Sequence, residues 1–234
     1  KIILYNDTIG CVEYVQHMGD DLTIVNAARV SFGVEKDEVD ERDRKLIRYL
    51  VKNRHTSTLE HNVITFKFTV PLFVRGQHHR HRTWSYNEIS RRYTDKDLRF
   101  YAPQEFRTQH KSNRQASNED DTINPQIEVY SPACSQPIPR LASDLVKKHH
   151  NDSLKLFDEL IDVGVCREQA RGVLPQNLYT EYYGTVNLNN LIKFINLRDD
   201  SHAQWEIQKV AQACKEIATE LWPVAMQTYN DLKK

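Results

Sequence analysis

Apolar and polar residues alternate along residues 62–74, and this alternation is the clearest secondary-structure signal in the chain. The apolar positions are Ile64, Phe66, Phe68 and Val70. Such a period of two predicts a strand with one buried face. Pro71 ends the pattern, and proline suits the first turn of a helix because the N–H that it lacks is not needed there. We therefore predict a strand that is followed directly by a short helix.

Other segments repeat apolar residues every three or four positions, which is the spacing of one helix face. Asn187 is a plausible cap for the helix that begins at Leu188. The predicted helices cover residues 42–53, the segment from Leu141 to a stop at Gly164, residues 167–174, the segment after Leu188, and a final helix from near Ser201 to Pro223. Residues 1–14 are predicted as strand, turn and strand, residues 22–31 as a short helix or strand, and residues 179–186 as a strand or extended turn.

Residues 107–140 break these patterns. Residues 112–121 are polar throughout, and four of the eight prolines follow, at positions 125, 132, 137 and 139. This composition is typical of irregular surface chain. We expect a long surface excursion from a single domain that spans residues 1–234. The excursion is either an insertion without function or a loop that covers a substrate or contacts another subunit.

The segment 80–93, directly after the predicted strand and helix, contains most of the candidate chemistry. It includes four arginines, one histidine, two serines, one asparagine and one glutamate. Guanidinium groups offer forked donors that match phosphate, and serine hydroxyls with backbone N–H groups complete an anion site. The glutamate, Glu88, is expected to orient an arginine or to hold a sugar hydroxyl. A solvated charged face or a non-specific nucleic-acid patch is the alternative interpretation.

Composition limits the class of protein. A chain of 234 residues with 39% hydrophobic content is long enough for one domain with a sizeable core. The 32 basic and 32 acidic residues cancel, which disfavours a protein that mainly coats nucleic acid. No apolar run approaches the roughly 20 residues that span a bilayer. We therefore predict a cytoplasmic protein with neither a nucleic-acid nor a membrane partner.

The four cysteines are widely scattered and form no CxxC pair, so we interpret them as reduced thiols that pack as small hydrophobic groups. None lies in a setting typical of a nucleophile. They are Cys11, Cys134, Cys166 and Cys214.

Histidines suggest a rival hypothesis, a zinc or iron hydrolase, because imidazole is the commonest metal ligand. The histidines concerned are His55, His61, His78, His79 and His81. Two of them are adjacent and would point in different directions on a helix or strand, and no HExxH motif accompanies them. We predict no metal site. A nucleic-acid-binding module is the third class, and the overall neutrality of the chain counts against it.

Three ordered segments together resemble the flavin-dependent thymidylate synthases. Arg80-His81-Arg82 followed by Ser90-Arg91-Arg92-Tyr93 is similar to the RHR…S signature of that family. Residues 55–61 before the signature and residues 196–208 after it also resemble family segments. The resemblance implies an α+β domain of mixed helices and a largely antiparallel sheet. It further implies a homotetramer whose active sites are shared between subunits.

The implied reaction is the reductive methylation of dUMP to dTMP. The family uses 5,10-methylenetetrahydrofolate as the carbon donor and FAD, reduced by NADPH, as the source of hydride, which no side chain can supply. The chain has no GxGxxG motif, so a Rossmann-type cofactor site is not expected.

Arg198 is the implied catalytic residue. A guanidinium beside the uracil ring would stabilise a negative charge on N3, which raises the electron density at carbon 5. Because arginine stays protonated at neutral pH, this role is electrostatic. The implied dUMP-binding residues are Gln77, His78, His79, Arg80, Glu88, Ile89, Ser90, Arg91, Arg92, Arg171 and Arg198, with Gln77, Arg80 and Arg171 supplied by a neighbouring subunit.

The resemblance also implies an FAD site between subunits. Two positions depart from the family pattern, since Asn189 stands where relatives often carry arginine and Lys193 where asparagine is common. His55 is alternatively a structural histidine at a helix end. The implied FAD-binding residues are Ser31, His55, Ser57, Glu60, Arg80, His81, Arg82, Glu88, Asn187, Leu188, Asn189, Lys193 and His202.

Overall fold

The computed structural model describes residues 1–130 and 136–233. Cys134 and Pro132, which the sequence analysis names, lie outside the described residues. The strands are β1 (Ile2–Ile3), β2 (Cys11–Met18), β3 (Val63–Pro71), β4 (Ser85–Glu88), β5 (Phe106–Gln109), β6 (Ser117–Ile123), β7 (Gln126–Val129), β8 (Ile138–Leu141) and β9 (Tyr179–Asn187). The helices are α1 (Asp21–Arg29), α2 (Glu41–Lys52), α3 (Leu72–His78), α4 (Ala142–Asp162), α5 (Arg167–Ala170), α6 (Leu188–Arg198), α7 (Trp205–Leu221) and α8 (Pro223–Lys233).

The main sheet has five antiparallel strands in the order β1-β2-β3-β9-β4. Strands β3 and β9 pair over their whole length, from Val63 opposite Asn187 to Pro71 opposite Tyr179. The four alternating apolar side chains of β3 are at most 1% exposed, which confirms the predicted strand. The predicted α+β fold with a largely antiparallel sheet is confirmed.

Helices cover the apolar side of this sheet and complete one large core. Its members include Phe66 and Phe68 from β3, Phe194 from α6, Val210 from α7 and Trp222 at the junction of α7 and α8. The Asn187 side chain accepts a hydrogen bond from the backbone N–H of Asn190 and thereby caps α6, as predicted. A smaller core forms around Phe157 of α4 and the segment that follows it.

Most predicted elements are confirmed. The helices predicted at residues 42–53, 141–164 and after Leu188 are α2, α4 and α6. Residues 22–31, predicted as a helix or a strand, are mainly helical. Residues 179–186, predicted as a strand or an extended turn, form a strand. The segment 167–174 is α5 followed by a 3₁₀ turn at Arg171–Val173.

The last predicted helix was wrong at its start, whereas its end before Pro223 agrees with α7, which ends at Leu221. Helix α7 begins at Trp205 rather than near Ser201, because residues 199–204 form turns and Gln204 has an extended backbone. Pro223 begins a further helix, α8, instead of ending the helical region. Proline is well suited to the first position of a helix, since no N–H is required there.

The predicted excursion is more regular than its composition suggested. It contains two antiparallel hairpins, β5 with β6 and β7 with β8. The strand Ser117–Ile123 has five exposed and two half-buried residues, so it shows no hydrophobic alternation. Backbone pairing, and not burial, gives this segment its structure. The expectation of irregular chain was therefore wrong for residues 107–109, 117–123, 126–129 and 138–140, which are half of residues 107–140.

The described cysteines are all free thiols. Cys11 and Cys214 are buried, as predicted, and burial raises the pKa of both thiols. Cys166 is exposed, so its interpretation as a buried hydrophobic group was wrong. Within residues 1–130 and 136–233, no helix is long and apolar enough to cross a membrane.

Asp21 connects the two ends of the chain. It is 7% exposed, and its carboxylate accepts hydrogen bonds from the backbone N–H groups of Val224, at 2.8 Å, and Ala225, at 3.2 Å. These N–H groups lie in the first turn of α8, where they have no partner within the helix. An aspartate from α1 therefore acts as the N-terminal cap of the last helix.

We expect Asp21→Ala to lower the free energy of unfolding by about 1–2 kcal/mol, because it removes a cap and leaves two buried N–H groups unpaired. Urea denaturation followed by circular dichroism measures this change. Asp37→Ala, which removes an exposed carboxylate, is the matched control and should change the value by less than about 0.5 kcal/mol. Equal effects of the two substitutions would contradict the capping role.

Candidate active site

A cavity of about 580 Å³ opens where α3, the end of β4 and the α5 region meet. The backbone that follows β4 and the 3₁₀ turn after α5 supply its polar lining. Five of the predicted substrate-binding residues line this cavity together: Glu88, Ile89, Ser90, Arg91 and Arg171. The resemblance placed Arg171 on a neighbouring subunit, but the structure has Arg171 and Ser90 line the same cavity within one chain.

Glu88 is held rigidly at the cavity wall. Arg75 of α3 binds both of its carboxylate oxygens, with Nε donating to Oε1 at 3.0 Å and Nη2 lying 2.8 Å from Oε2. The Thr180 hydroxyl also donates to Oε1, at 2.7 Å. Glu88 thus orients an arginine, as one of the two hypotheses proposed, although this arginine lies outside the segment 80–93. Arg75 and Thr180 were not predicted from the sequence. The position of Arg75, one turn after Pro71, was the available signal.

Arg91, Arg92 and Arg171 differ in whether the guanidinium group already has a partner within the chain. Arg91 donates to the carbonyl oxygens of Lys96, at 2.6 Å, and Tyr179, at 3.4 Å, and burial lowers its pKa from the ordinary value. Arg92 is exposed and forms an ion pair with Glu168 at 2.9 Å. Arg171 makes no ion pair with any residue that the structure describes. Arg171 is therefore the cavity arginine with the charge that is most available to an anion.

Arg198, at the end of α6, lies in a separate group of polar contacts. Its Nε donates to Nε2 of His81 at 3.1 Å, and its Nη2 donates to the carbonyl oxygen of Gln77 at 3.3 Å. Burial, followed by the positive charge of Arg80, lowers the pKa of Arg198 from its ordinary value. Arginine nevertheless stays charged in proteins. The contacts fix the plane of a half-buried cation.

His81 is neutral in this arrangement. Burial, and then the nearby charge of Arg198, lowers the pKa of His81 to about 4. A neutral imidazole has one acceptor nitrogen, and here Nε2 receives the hydrogen bond from Arg198, so the proton is on Nδ1. The ring edge packs on Phe194 with a centroid separation of 4.9 Å. The middle residue of the RHR motif thus orients Arg198.

His78 is part of the core, although the resemblance counted it among the substrate-binding residues. It is 0% exposed, Nδ1 lies 2.8 Å from the Tyr182 hydroxyl, and the ring packs between Phe68, Trp84 and Phe194. A fully buried ring cannot contact a ligand at the surface of this chain. The prediction of substrate contact by the His78 side chain is therefore not supported. Its neighbour His79 is half-buried and stacks on Tyr86 at 4.1 Å.

The predicted FAD-binding residues form no single surface. His55, Ser57 and Glu60 are exposed around the 3₁₀ turn Thr56–Leu59, where the His55 ring stacks on Tyr49. Asn189 is only 5% exposed and donates to Glu60 Oε1 at 2.8 Å, so it reaches this surface through Glu60.

The remaining predicted residues differ widely in exposure. Leu188 is fully buried and its N–H donates to the Asn62 carbonyl, so neither its side chain nor its N–H is available to a cofactor. Asn187 is half-buried and caps α6. Ser31, Arg80, Arg82, Lys193 and His202 are exposed.

No group of three or more His, Cys, Asp or Glu side chains is placed to hold a metal ion among residues 1–130 and 136–233. Three histidines of the metal hypothesis have other contacts: His78 is in the core, His81 binds Arg198, and His55 stacks on Tyr49.

The fold and site together define an α+β protein with an arginine-lined cavity and a separately oriented arginine, as expected of an enzyme that binds a small anionic substrate. Comparison with known proteins places it in a family. The profile of the family described as "Thymidylate synthase complementing protein" matches residues 13–224. The chain therefore belongs to this family, whose curated members are named flavin-dependent thymidylate synthases.

Individual relatives agree with this assignment. The flavin-dependent thymidylate synthase of Thermotoga neapolitana is 41% identical over 223 residues, covering 94% of this chain and 90% of the relative. The enzyme of the same name from Thermus thermophilus is 42% identical over 222 residues, covering 95% and 76%. Among solved structures, a UMP/dUMP methylase, PolB, from Streptomyces cacaoi bound with 5-Br dUMP matches with a TM-score of 0.77 and 32% identity, covering 98% and 97%.

We expect His81 to titrate with a midpoint near pH 4, well below the ordinary value of 6.5. The unfolded chain takes up this proton near pH 6.5 and the folded chain only near pH 4, so this histidine makes the folded state less stable as the pH falls through that window. NMR titration of the His81 ring resonance measures the midpoint. It should rise in Arg198→Met, which removes the neighbouring charge. A midpoint near 6.5 in the unaltered protein would contradict the lowering of the His81 pKa by burial and by Arg198.

Proposed function

We propose that this protein catalyses the reductive methylation of dUMP to dTMP in de novo dTMP synthesis. In this proposal, 5,10-methylenetetrahydrofolate donates the carbon unit and FAD reduced by NADPH supplies the hydride. The observation that carries the proposal is the cavity lined by Glu88, Ser90 and Arg171, which we call the Ser90 cavity. Five of the eleven predicted dUMP-binding residues lie together there in a member of this family. The similar methylase with a bound dUMP analogue also supports dUMP as the substrate.

Arg171 and Ser90 are the residues that we propose to bind the dUMP phosphate. Arg171 brings a charge that no described carboxylate neutralises, and Ser90 Oγ accepts a hydrogen bond from the Arg92 N–H at 3.3 Å. That contact uses a lone pair of Ser90 Oγ. The hydroxyl proton therefore remains available to donate to a phosphate oxygen. A dianionic phosphate gains a charge-assisted hydrogen bond from each group.

Arg198 is the residue that we propose to activate the uracil ring. Its plane is fixed by the neutral His81 and the Gln77 carbonyl, so no reorganisation is needed when negative charge develops on the ring. Partial burial strengthens the interaction, because charges interact more strongly away from water. The buried cysteines include no thiolate candidate, since burial raises the pKa of Cys11 and Cys214. Electrostatic activation by Arg198 is the mechanism that these side chains favour.

The exposed residues of the RHR motif suit a dinucleotide cofactor. Arg80 and Arg82 are exposed and make no ion pair with any described residue, so two positive charges remain available for the pyrophosphate of FAD. Glu60, oriented by Asn189, can accept hydrogen bonds from ribose hydroxyl groups. Bound FAD would provide the hydride that the reaction requires.

We also propose that the enzyme is a cytoplasmic homotetramer. Arg198, His81 and Gln77 are not among the described residues that line the Ser90 cavity, although the reaction needs a phosphate site and an activating arginine on the same nucleotide. A second subunit that brings its own Arg198 group to the cavity would complete the site. Three exposed apolar residues near α1, Val30, Phe32 and Val34, are suited to burial in such an interface.

Arg171→Ala should weaken dUMP binding about tenfold, because it removes a charge-assisted hydrogen bond to phosphate. Isothermal titration calorimetry with the FAD-loaded protein measures the dissociation constant. Arg167→Ala is the matched control: it lies one turn earlier and is paired with Asp95 at 2.9 Å. Its dissociation constant should stay within about twofold of the unaltered value. If both substitutions leave dUMP binding unchanged, Arg171 is not in the phosphate site.

The test of the reaction itself uses the visible spectrum of the FAD-loaded protein under anaerobic conditions. We expect the flavin band to bleach with NADPH, and dTMP to form once dUMP and methylenetetrahydrofolate are added. Arg198→Ala should keep the bleaching but slow dTMP formation by at least about 100-fold, since a preorganised donor to the developing charge is lost. Arg42→Ala, an exposed arginine on α2, is the control. Undiminished dTMP formation by Arg198→Ala would refute the activating role, and a protein that never binds FAD would refute the proposed function.

A further inference from the structure

A chain of hydrogen bonds connects a buried carboxylate to Gln77. Gln204 Nε2 donates to Glu206 Oε2 at 2.8 Å, and Gln77 Nε2 donates to Gln204 Oε1. Gln77 is next to Arg198, which donates to its backbone carbonyl. The three side chains therefore form a continuous path to the polar group that surrounds Arg198, and we refer to them as the amide relay.

Glu206 anchors the amide relay. It is 4% exposed, and its Oε1 accepts hydrogen bonds from Arg107 Nη2 at 2.7 Å and from the Tyr101 hydroxyl at 3.2 Å. The Glu206 carboxylate thus forms an ion pair with Arg107. An ionised carboxylate can only accept hydrogen bonds. Oε2 therefore requires a donor from its neighbour.

This requirement fixes the orientation of both amides. Gln204 must direct its NH₂ group toward Glu206, which leaves its carbonyl oxygen facing Gln77. Gln77 must in turn direct its NH₂ group toward Gln204. Amide groups can otherwise rotate by half a turn at little cost, because oxygen and nitrogen have nearly the same shape. The amide relay removes that freedom.

We propose that Gln204 and Glu206 are positioning residues that hold Gln77 with its side-chain oxygen free to accept a hydrogen bond from the bound nucleotide. No described residue donates to Gln77 Oε1. A group that meets this oxygen must be a donor, which in dUMP means a sugar hydroxyl, because the only ring N–H, at N3, is the proton that the activated uracil loses. This inference rests on the proposed function, because it assumes that dUMP binds beside Arg198.

The amide relay also gives the predicted excursion a role. Arg107 lies on β5, within the first hairpin of residues 107–140, and its guanidinium additionally stacks over the Trp205 ring at 5.0 Å. The hairpin thus supplies the ion-pair partner of Glu206. The earlier interpretations were an insertion without function, or a loop that covers a substrate or contacts another subunit, and none of them included this contact.

The experiment measures the dUMP dissociation constant of the FAD-loaded protein for Gln204→Met, Gln77→Ala and the double variant. Gln204→Met keeps the side-chain length but removes both relay hydrogen bonds, and it should weaken dUMP binding about three- to tenfold. Because Gln204 acts through Gln77, the double variant should bind no more weakly than Gln77→Ala alone. Tyr101→Phe, which removes a different hydrogen bond to Glu206, should stay within about twofold of the unaltered value.

The outcomes are distinguishable. The positioning role is overturned if Gln204→Met binds dUMP as tightly as the unaltered protein does, or if the affinity losses of the two single variants add in the double variant. In either case, dTMP formation by the unaltered protein still supports the proposed function. An unaltered protein that binds no dUMP would overturn both. Thermal melting of each variant identifies unfolded protein. If Gln204→Met does not fold, Gln204→Asn replaces it, because its shorter amide breaks the same relay. Its dUMP dissociation constant is compared with that of the unaltered protein, and that of its double variant with that of Gln77→Ala.

Discussion

The antiparallel pairing of β3 with β9 is the constraint on which the site depends. Each strand has nine residues, about 30 Å in extended form. Helix α3 leaves the sheet at one end of this pair and α6 leaves it at the opposite end. With seven and eleven residues they measure about 10 and 16 Å. The two helices together nearly match the strand length, so their C-terminal ends meet over the sheet.

This meeting point explains why residues more than a hundred positions apart in sequence share one polar group. Gln77 lies in the last turn of α3 and His81 just after it, and Arg198 is the last residue of α6. The ring of His78 fills the core directly beneath them. Neighbouring residues of one segment therefore have different roles: His78 stabilises the core, His81 orients Arg198, and Arg80 stays exposed.

Much of the fold was predictable because burial leaves a period in the sequence. Strand β3 and helices α2, α4 and α6 each have one apolar face, and a cap such as Asn187 marks a helix boundary. The hairpins of the excursion escaped prediction because their strands are largely exposed on both faces. Helix α8 escaped because Pro223 was interpreted as a stop, and its cap, Asp21, lies 203 residues before Val224.

The candidate site was predictable mainly through the resemblance. The residues that it pointed to, such as Ser90, Arg171 and Arg198, fall in a cavity or a polar group. Side-chain burial could not be foreseen for His78, since it lies next to half-buried and exposed residues in sequence. The partners that orient the site, Arg75 with Glu88 and Gln204 with Gln77, were equally hidden, because they depend on contacts between distant segments.

The contact of Asp21 with the start of α8 has a consequence for biosynthesis. The first and last helices of the domain complete each other, so the core cannot close until nearly all of the chain has left the ribosome. Until then, the apolar faces of α1 and β3 remain exposed to water. Long-range closure of this kind slows folding and lengthens the time during which partly folded chains can aggregate. Folding of such a domain is therefore completed only after its last helix has been synthesised.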